Sequence, residues 1–198
     1  MKSKIIPYFF AIATICATAA AAVETGAEAP EFTLVDTNGN EHSLSDFEGK
    51  FVVLEWLNHG CPFVVRHYES GNLPALQEKY TGEGVVWLSI VSSAPGKQGH
   101  HSPEKANALS AEKGAQPTAV LLDESGDVGR AYGAKTTPHI YIVNPDGELI
   151  YQGAIDSAPR GGDPAGVTCY VTTSLDAAMA GEPVPTGTTK PYGCSVKY

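Results

Sequence analysis

Glu55-Trp56-Leu57-Asn58-His59-Gly60-Cys61-Pro62-Phe63-Val64 is the stretch in which residue types and spacing point to chemistry. Cys61 follows a short apolar run and precedes a segment with helical spacing, and Pro62 suits the first position of a helix. The unpaired N–H groups and positive dipole end of a helix start favour a thiolate over a thiol. In open α/β sheets, reaction sites lie beyond the carboxyl ends of strands, which is where Cys61 falls. The plain alternative is an inert buried cysteine.

Glu55 lies six residues before Cys61 inside an otherwise apolar strand. Burial would raise its pKa and poise it for acid–base work; the alternative is a structural ion pair with Lys50 or Lys135. Six histidines, His42, His59, His67, His100, His101 and His139, add a second possibility. Cys61 with His59, His139 and one of His100 or His101 offers a copper or zinc ligand set, against the plain reading of surface or hydrogen-bonded histidines. The glycines of Ala94-Pro95-Gly96-Lys97-Gln98-Gly99 lack the spacing of a phosphate loop.

The elements that must position these groups come from periodicity. Phe51 to Leu57 is a β-branched run, apolar on both faces as a central strand requires. A helix is expected from Pro62, interrupted near Gly71 and Pro74 and resumed by the stripe Leu73, Leu76, Tyr80. Gly84 to Ser92 and Thr118 to Leu122 read as further strands. Between them, Ser102-Pro103-Glu104 caps a helix running to about Gly114, and Asp123 to Tyr132 holds a turn and a short helix. His139–Val143 and Glu148–Gln152 flank the turn Asn144-Pro145-Asp146-Gly147. Upstream, Glu31–Val35 leads into a hairpin signal at Thr37-Asn38-Gly39-Asn40. A Gly/Pro-rich loop over 153–166 precedes a last helix with Val171, Leu175, Ala178 and Met179 inward and Cys169 on its outer face. Residues 182–198 hold three prolines and no period, so an extended tail is expected. Strands alternating with helices imply a mixed sheet covered on both faces.

Composition sets the bounds. The 198 residues are 42% apolar and 18% charged, enough for a compact core and against disorder. Thirteen basic against 22 acidic residues give −9, which argues against nucleic acid and anionic membrane surfaces as partners. Residues 1–22 read as a signal peptide: Lys2 and Lys4, an uncharged stretch from Ile5, and small residues at Ala20-Ala21-Ala22 before a cut. A retained anchor fits less well, because Pro7 interrupts the stretch and no stop-transfer pattern follows. A lipid box at Cys16 is disfavoured by the bulk of Ile15. The chain from 23 onward then carries 11 basic and 22 acidic residues, −11, in a periplasmic or secreted location. It keeps Cys61, Cys169 and Cys194, so one thiol stays free or pairs outside the chain.

Taken together, these blocks resemble the peroxiredoxin-like branch of the thioredoxin-fold redoxins, the alkyl hydroperoxide reductase/thiol-specific antioxidant superfamily. The resemblance rests on Ala29-Pro30-Glu31-Phe32, LEWLNHGCPFVVRHY from Leu54, GVVWLSIVSSAPG from Gly84, Ala131-Tyr132-Gly133-Ala134 before TTPHIYIV, and the ending PYGCSVKY. It implies a thioredoxin-like α/β domain over 23–181, with an added N-terminal hairpin and the tail 182–198 packed on it. It implies a thiol-dependent oxidoreductase, an enzyme with no cofactor or resident metal, that uses Cys61 to reduce a peroxide or exchange disulfides with electrons from a dithiol protein. Pro138 would follow a cis peptide beside Cys61, and Glu55 would move protons. Cys194 would be the resolving partner, as the GCSVK ending of this branch implies, or else one end of a purely structural disulfide. The chain also departs from the pattern. Val64 stands where thioredoxins carry a second cysteine. Leu54 and Asn58 stand where peroxiredoxins carry proline and threonine. The peroxide-binding arginine expected near Thr137-Pro138 is missing, leaving Arg66 as the candidate substitute. Two other classes stay open: a metal-delivery module, and a scaffold without catalysis.

Overall fold

The computed structural model describes residues 22–161 and 166–198. The signal peptide expected over 1–22 lies, Ala22 apart, outside the described residues. Seven strands form one mixed sheet in the order β2-β1-β5-β4-β3-β7-β8. They are β1 (Thr33–Asp36), β2 (Glu41–Ser43), β3 (Val52–Trp56), β4 (Val86–Val91), β5 (Ala119–Leu122), β7 (His139–Val143) and β8 (Leu149–Gly153). β3, β4 and β5 run parallel, while β1, β7 and β8 each join antiparallel to a neighbour. The helices are α1 (Pro62–Glu69), α2 (Asn72–Gly82), α3 (Pro103–Glu112), α4 (Asp127–Tyr132) and α5 (Tyr170–Met179). The mixed, helix-covered sheet and its N-terminal hairpin are those anticipated from the periodicities.

β3 shows why this core forms. Both of its faces are buried, so alternate residues enter two different layers. Val53 and Leu57 pack with Val64, Tyr68, Leu73 and Trp87 in one layer. Leu54 and Trp56 pack with Leu88, Ile90, Tyr132 and Tyr141 in the other, where the Trp56 ring lies 5.0 Å from Tyr141 and 5.4 Å from Tyr132. β3 is matched over its full length by β4 on one side and β7 on the other. The end of β3 is therefore among the best-braced points of the chain, and the loop to Cys61 starts there.

Two expectations are corrected. Cys169 is not on the outer face of the last helix; it is the residue preceding α5, half-buried against the core. The inward stripe of α5 is Val171, Ser174 and Leu175, while Met179 is exposed. The tail is not patternless either. Cys194–Ser195 forms a short strand, β9, antiparallel to β6 (Thr136–Thr137), with Cys194 opposite Thr137.

Candidate active site

Cys61 is the N-cap residue of α1, with Pro62 at the first helical position. The connection from β3 is held by Asn58, whose side-chain oxygen accepts from the Gly60 N–H at 2.9 Å while its amide donates to the Gln98 carbonyl at 3.2 Å. Gln98 in turn donates to the Gly60 carbonyl at 3.1 Å. Gly99 lies so close to Asn58 that a Cβ would collide with it. Asn58 thus ties the loop before Cys61 to the 94–101 loop, which is the work it does where the family pattern has threonine.

Cys61 is fully buried. Its thiol donates to the Thr137 carbonyl at 2.9 Å, and its sulfur lies 2.7 Å from the sulfur of Cys194. Burial pushes the Cys61 thiol up. The Cys194 thiol and the N–H groups of Val64 and Cys194 outweigh that and bring it below the ordinary thiol value. Cys194 moves the other way, to about 11, through burial and then through its hydrogen bond to Cys61 and the charge there. The two groups make an asymmetric pair: Cys61 ionises first and Cys194 keeps its proton.

The Thr137–Pro138 peptide is cis. The segment before it is β6, whose Thr137 carbonyl meets Cys61 and whose pairing with β9 brings Cys194 to the same place. Gly193 permits this approach. Its φ is +144°, and a Cβ there would run into the Thr137 carbonyl.

Glu55 is fully buried on the same face of β3 as Val53 and Leu57. No lysine among the described residues pairs with it, which sets aside the alternative of an ion pair with Lys50 or Lys135. Four neutral donors reach it instead. Tyr68 donates to Oε1 at 3.1 Å; Gln77, Trp87 and Ser89 donate to Oε2 at 3.0, 2.8 and 3.0 Å. Burial raises the carboxyl's pKa, and the four donors oppose it without cancelling it. Ser89 was the one legible signal, the single polar residue of its strand and opposite Glu55 in the β3–β4 register. Gln77, Tyr68 and Trp87 read as ordinary core or helix residues.

The histidines do not assemble around Cys61. His59 is bonded through Nε2 to Ser110 at 3.3 Å, and burial, then the charges of Lys113 and His101, hold it at about 4. His139 meets the Tyr141 hydroxyl at 3.2 Å and is held by burial, then Lys135, at about 3. His100 bonds Glu124. Among the described residues no three His, Cys, Asp or Glu side chains come together in a metal-holding group, so the proposed ligand set is corrected. Arg66 does not replace the missing arginine: it donates to the Pro159 carbonyl at 2.8 Å and to Tyr192 at 3.4 Å. Cys169 accepts from Thr172 and lines a groove of about 530 Å³ with Arg66, His67 and Asp156, apart from the Cys61–Cys194 pair.

A mixed sheet with a helix-capping cysteine under a cis-proline segment defines a thioredoxin-fold redoxin. Residues 25–152 match the AhpC/TSA family, to which the chain belongs. That match contains Glu55, Cys61 and Pro138 and ends before Cys169 and Cys194. The chain is 30% identical over 128 residues to the thiol-disulfide oxidoreductase ResA of Geobacillus kaustophilus, spanning 65% of this chain and 68% of that protein. An uncharacterized conserved protein of Geobacillus kaustophilus has a similar structure, with TM-score 0.79 and 32% identity over 88% of this chain and 92% of that one. The thioredoxin domain of a thiol-disulfide oxidoreductase from Bacteroides vulgatus aligns with TM-score 0.53 and 25% identity, covering 66% and 89%.

Proposed function

We propose that the protein is a thiol–disulfide oxidoreductase in which Cys61 is the attacking thiolate and Cys194 the resolving thiol. The observation that carries this reading is the 2.7 Å approach of the Cys61 sulfur, at the start of α1, to the Cys194 sulfur on β9, the strand paired with β6. The Cys61 thiolate attacks one sulfur of a substrate disulfide, forming a mixed disulfide and releasing the other sulfur as thiolate. Cys194 then attacks the Cys61 sulfur and closes the Cys61–Cys194 bond. Its proton passes to the thiolate that leaves. The substrate gains two electrons, and a dithiol protein returns them to the pair. Pro138 shapes the segment that meets Cys61, and Glu55 is the proton-transfer group behind it. Disulfide is preferred to peroxide as oxidant because Arg66 is bound elsewhere and Asn58 is occupied with the 94–101 loop.

Export through the 1–22 leader completes the reading and places the pair where disulfides persist. No helix among the described residues is long and apolar enough to cross a membrane. N-terminal sequencing of the secreted or periplasmic fraction is expected to begin at Val23.

Stopped-flow oxidation of the reduced Cys169→Ser protein tests the reaction. A small disulfide is expected to close the Cys61–Cys194 bond faster than hydrogen peroxide at equal concentration. The reverse order makes the protein a peroxidase, and silence toward both makes it a scaffold.

A further inference from the structure

Cys61 has no exposed surface, yet a disulfide in another molecule must reach its sulfur to be attacked. Against that sulfur, beside the Thr137 carbonyl, lies Cys194 of a strap, residues 188–198. At one end Thr189 Oγ1 accepts from the Ala154 N–H at 2.9 Å and meets the Tyr151 hydroxyl at 2.6 Å. At the other, the Tyr198 hydroxyl donates to the Ala134 carbonyl at 2.8 Å, with its ring over Arg130 and against Gly126 and Gly129. Between these anchors the strap is held by the β6–β9 pairing, by the Val196 N–H on the Lys135 carbonyl at 3.1 Å, by the Lys197 carbonyl accepting from the Ala94 N–H at 2.9 Å, by Val196 packed on the Leu54 layer, and by the side chain of Tyr192.

Tyr192 is two residues before Cys194 and packs on Phe63, two residues after Cys61, with ring centroids 5.9 Å apart. Its ring stacks on His67 at 6.2 Å. Its hydroxyl donates to Asp156 Oδ1 in a short bond of 2.5 Å and lies 3.0 Å from His67 Nε2. Asp156 is buried and fixed in turn by the Ala158 N–H at 2.9 Å. Nothing joins Tyr192 to either sulfur, so its work is on the strap.

We propose that the Tyr192 hydroxyl, bonded to Asp156, is the clasp that holds the strap over Cys61 and thereby sets the size of disulfide substrate that reaches it. Its meaning for substrates rests on the disulfide-exchange reading above; the closure itself does not. Tyr192 is a positioning and specificity-determining residue. Compact disulfides pass during small local openings that leave the clasp made. A disulfide on a folded protein needs the strap lifted, and its rate scales with the fraction of molecules in which the clasp is broken. A hydrogen bond to a carboxylate is strong enough that losing it raises that fraction about tenfold.

The test uses the chain from Val23 onward, which lacks Cys16, with Cys169→Ser and Cys194→Ser, so that Cys61 alone reports. Alkylation by iodoacetamide and by a polyethylene-glycol maleimide is followed with and without Tyr192→Phe, which keeps the ring and removes the hydroxyl. The bulky reagent is expected to gain about tenfold and iodoacetamide much less. Asp156→Asn, which leaves a neutral acceptor, is expected to give a smaller gain with the same size dependence. Equal gains for both reagents mean general loosening, and no gain for either means the strap opens without the clasp; each overturns the proposal. An ordinary thiol midpoint in the pH–rate profile of the Cys169→Ser protein, which keeps Cys194, refutes the Cys61 thiolate instead, and the ratio of the two gains still decides the clasp.

Discussion

The two cysteines of the pair are held in opposite ways. Cys61 sits where β3, matched along its whole length on both sides, hands over to α1. Moving it means breaking the sheet or the helix. Cys194 sits on a two-residue strand kept in place by Gly193, Tyr192 and the anchors at Thr189 and Tyr198. Each of those contacts is worth about 1 kcal/mol, and segments so held open at far lower free energy than the core. The difference teaches a division of labour. In the proposed reaction Cys61 attacks from a fixed corner, while Cys194 resolves from a short, lightly held segment.

The sharpest way to break that contrast is to remove each sulfur in turn. Cys61→Ser is expected to reduce disulfide exchange to the uncatalysed level. Cys194→Ser is expected to keep the first attack and stall as a mixed disulfide on Cys61, visible as a mass adduct on the intact protein. Equal loss of the first step in both variants removes the distinction between the two thiols.

Glu55→Gln alters the corner and leaves the strap alone. It is expected to slow Cys61 chemistry by about a hundredfold, the scale of a lost acid–base group, with the fold retained. Its stability has a definite sign. A carboxyl whose folded pKa is raised gives the fold its full contribution below the unfolded value, about 4.5, and loses it as pH rises toward the folded value. Denaturation series should therefore show the Gln variant gaining on the parent as pH climbs above 4.5. Unchanged rates with only a stability shift would make Glu55 structural.

Gly193→Ala does the converse. Its φ of +144° and the collision with Thr137 should cost about 1–3 kcal/mol of strap closure. The check is a lower yield of the Cys61–Cys194 disulfide in glutathione buffers, with the Cys61 corner intact by circular dichroism. Acid acts on both regions at once. His59 and His139 near the corner and His67 under the clasp are depressed to about 4, 3 and 4. Their contribution is present above about 6.5 and falls as pH drops, by up to about 1.4 kcal/mol per unit for each. Urea unfolding at pH 7 and pH 5 measures it.

The same contrast decided what was legible in the sequence. The β3–α1 corner announces itself, because a β-branched run followed by Cys-Pro has few other readings. The strap leaves no period, since β9 is two residues long and Tyr192 touches partners 36 and 125 residues away. Cys169 was misplaced because cysteine is not an N-capping type, so nothing marked the start of α5 at Tyr170. For Glu55 a lysine partner stood as the alternative to acid–base work, because buried carboxylates usually need a charge. Four neutral donors replace it, two of them aromatic residues with polar edges that a hydrophobic pattern hides. The metal set failed because closeness along the chain does not set direction: His59 turns to α3 and His139 to Tyr141.

The most direct measurement is a redox titration of the chain from Val23 onward, with its three thiols Cys61, Cys169 and Cys194 all present, followed by alkylation and peptide mapping. The account predicts that Cys61 and Cys194 lose alkylation together in one two-electron transition and map as a single bridged peptide, with Cys169 free throughout. A Cys61–Cys169 bridge, or a Cys194 that stays alkylatable after Cys61 is oxidised, would contradict it.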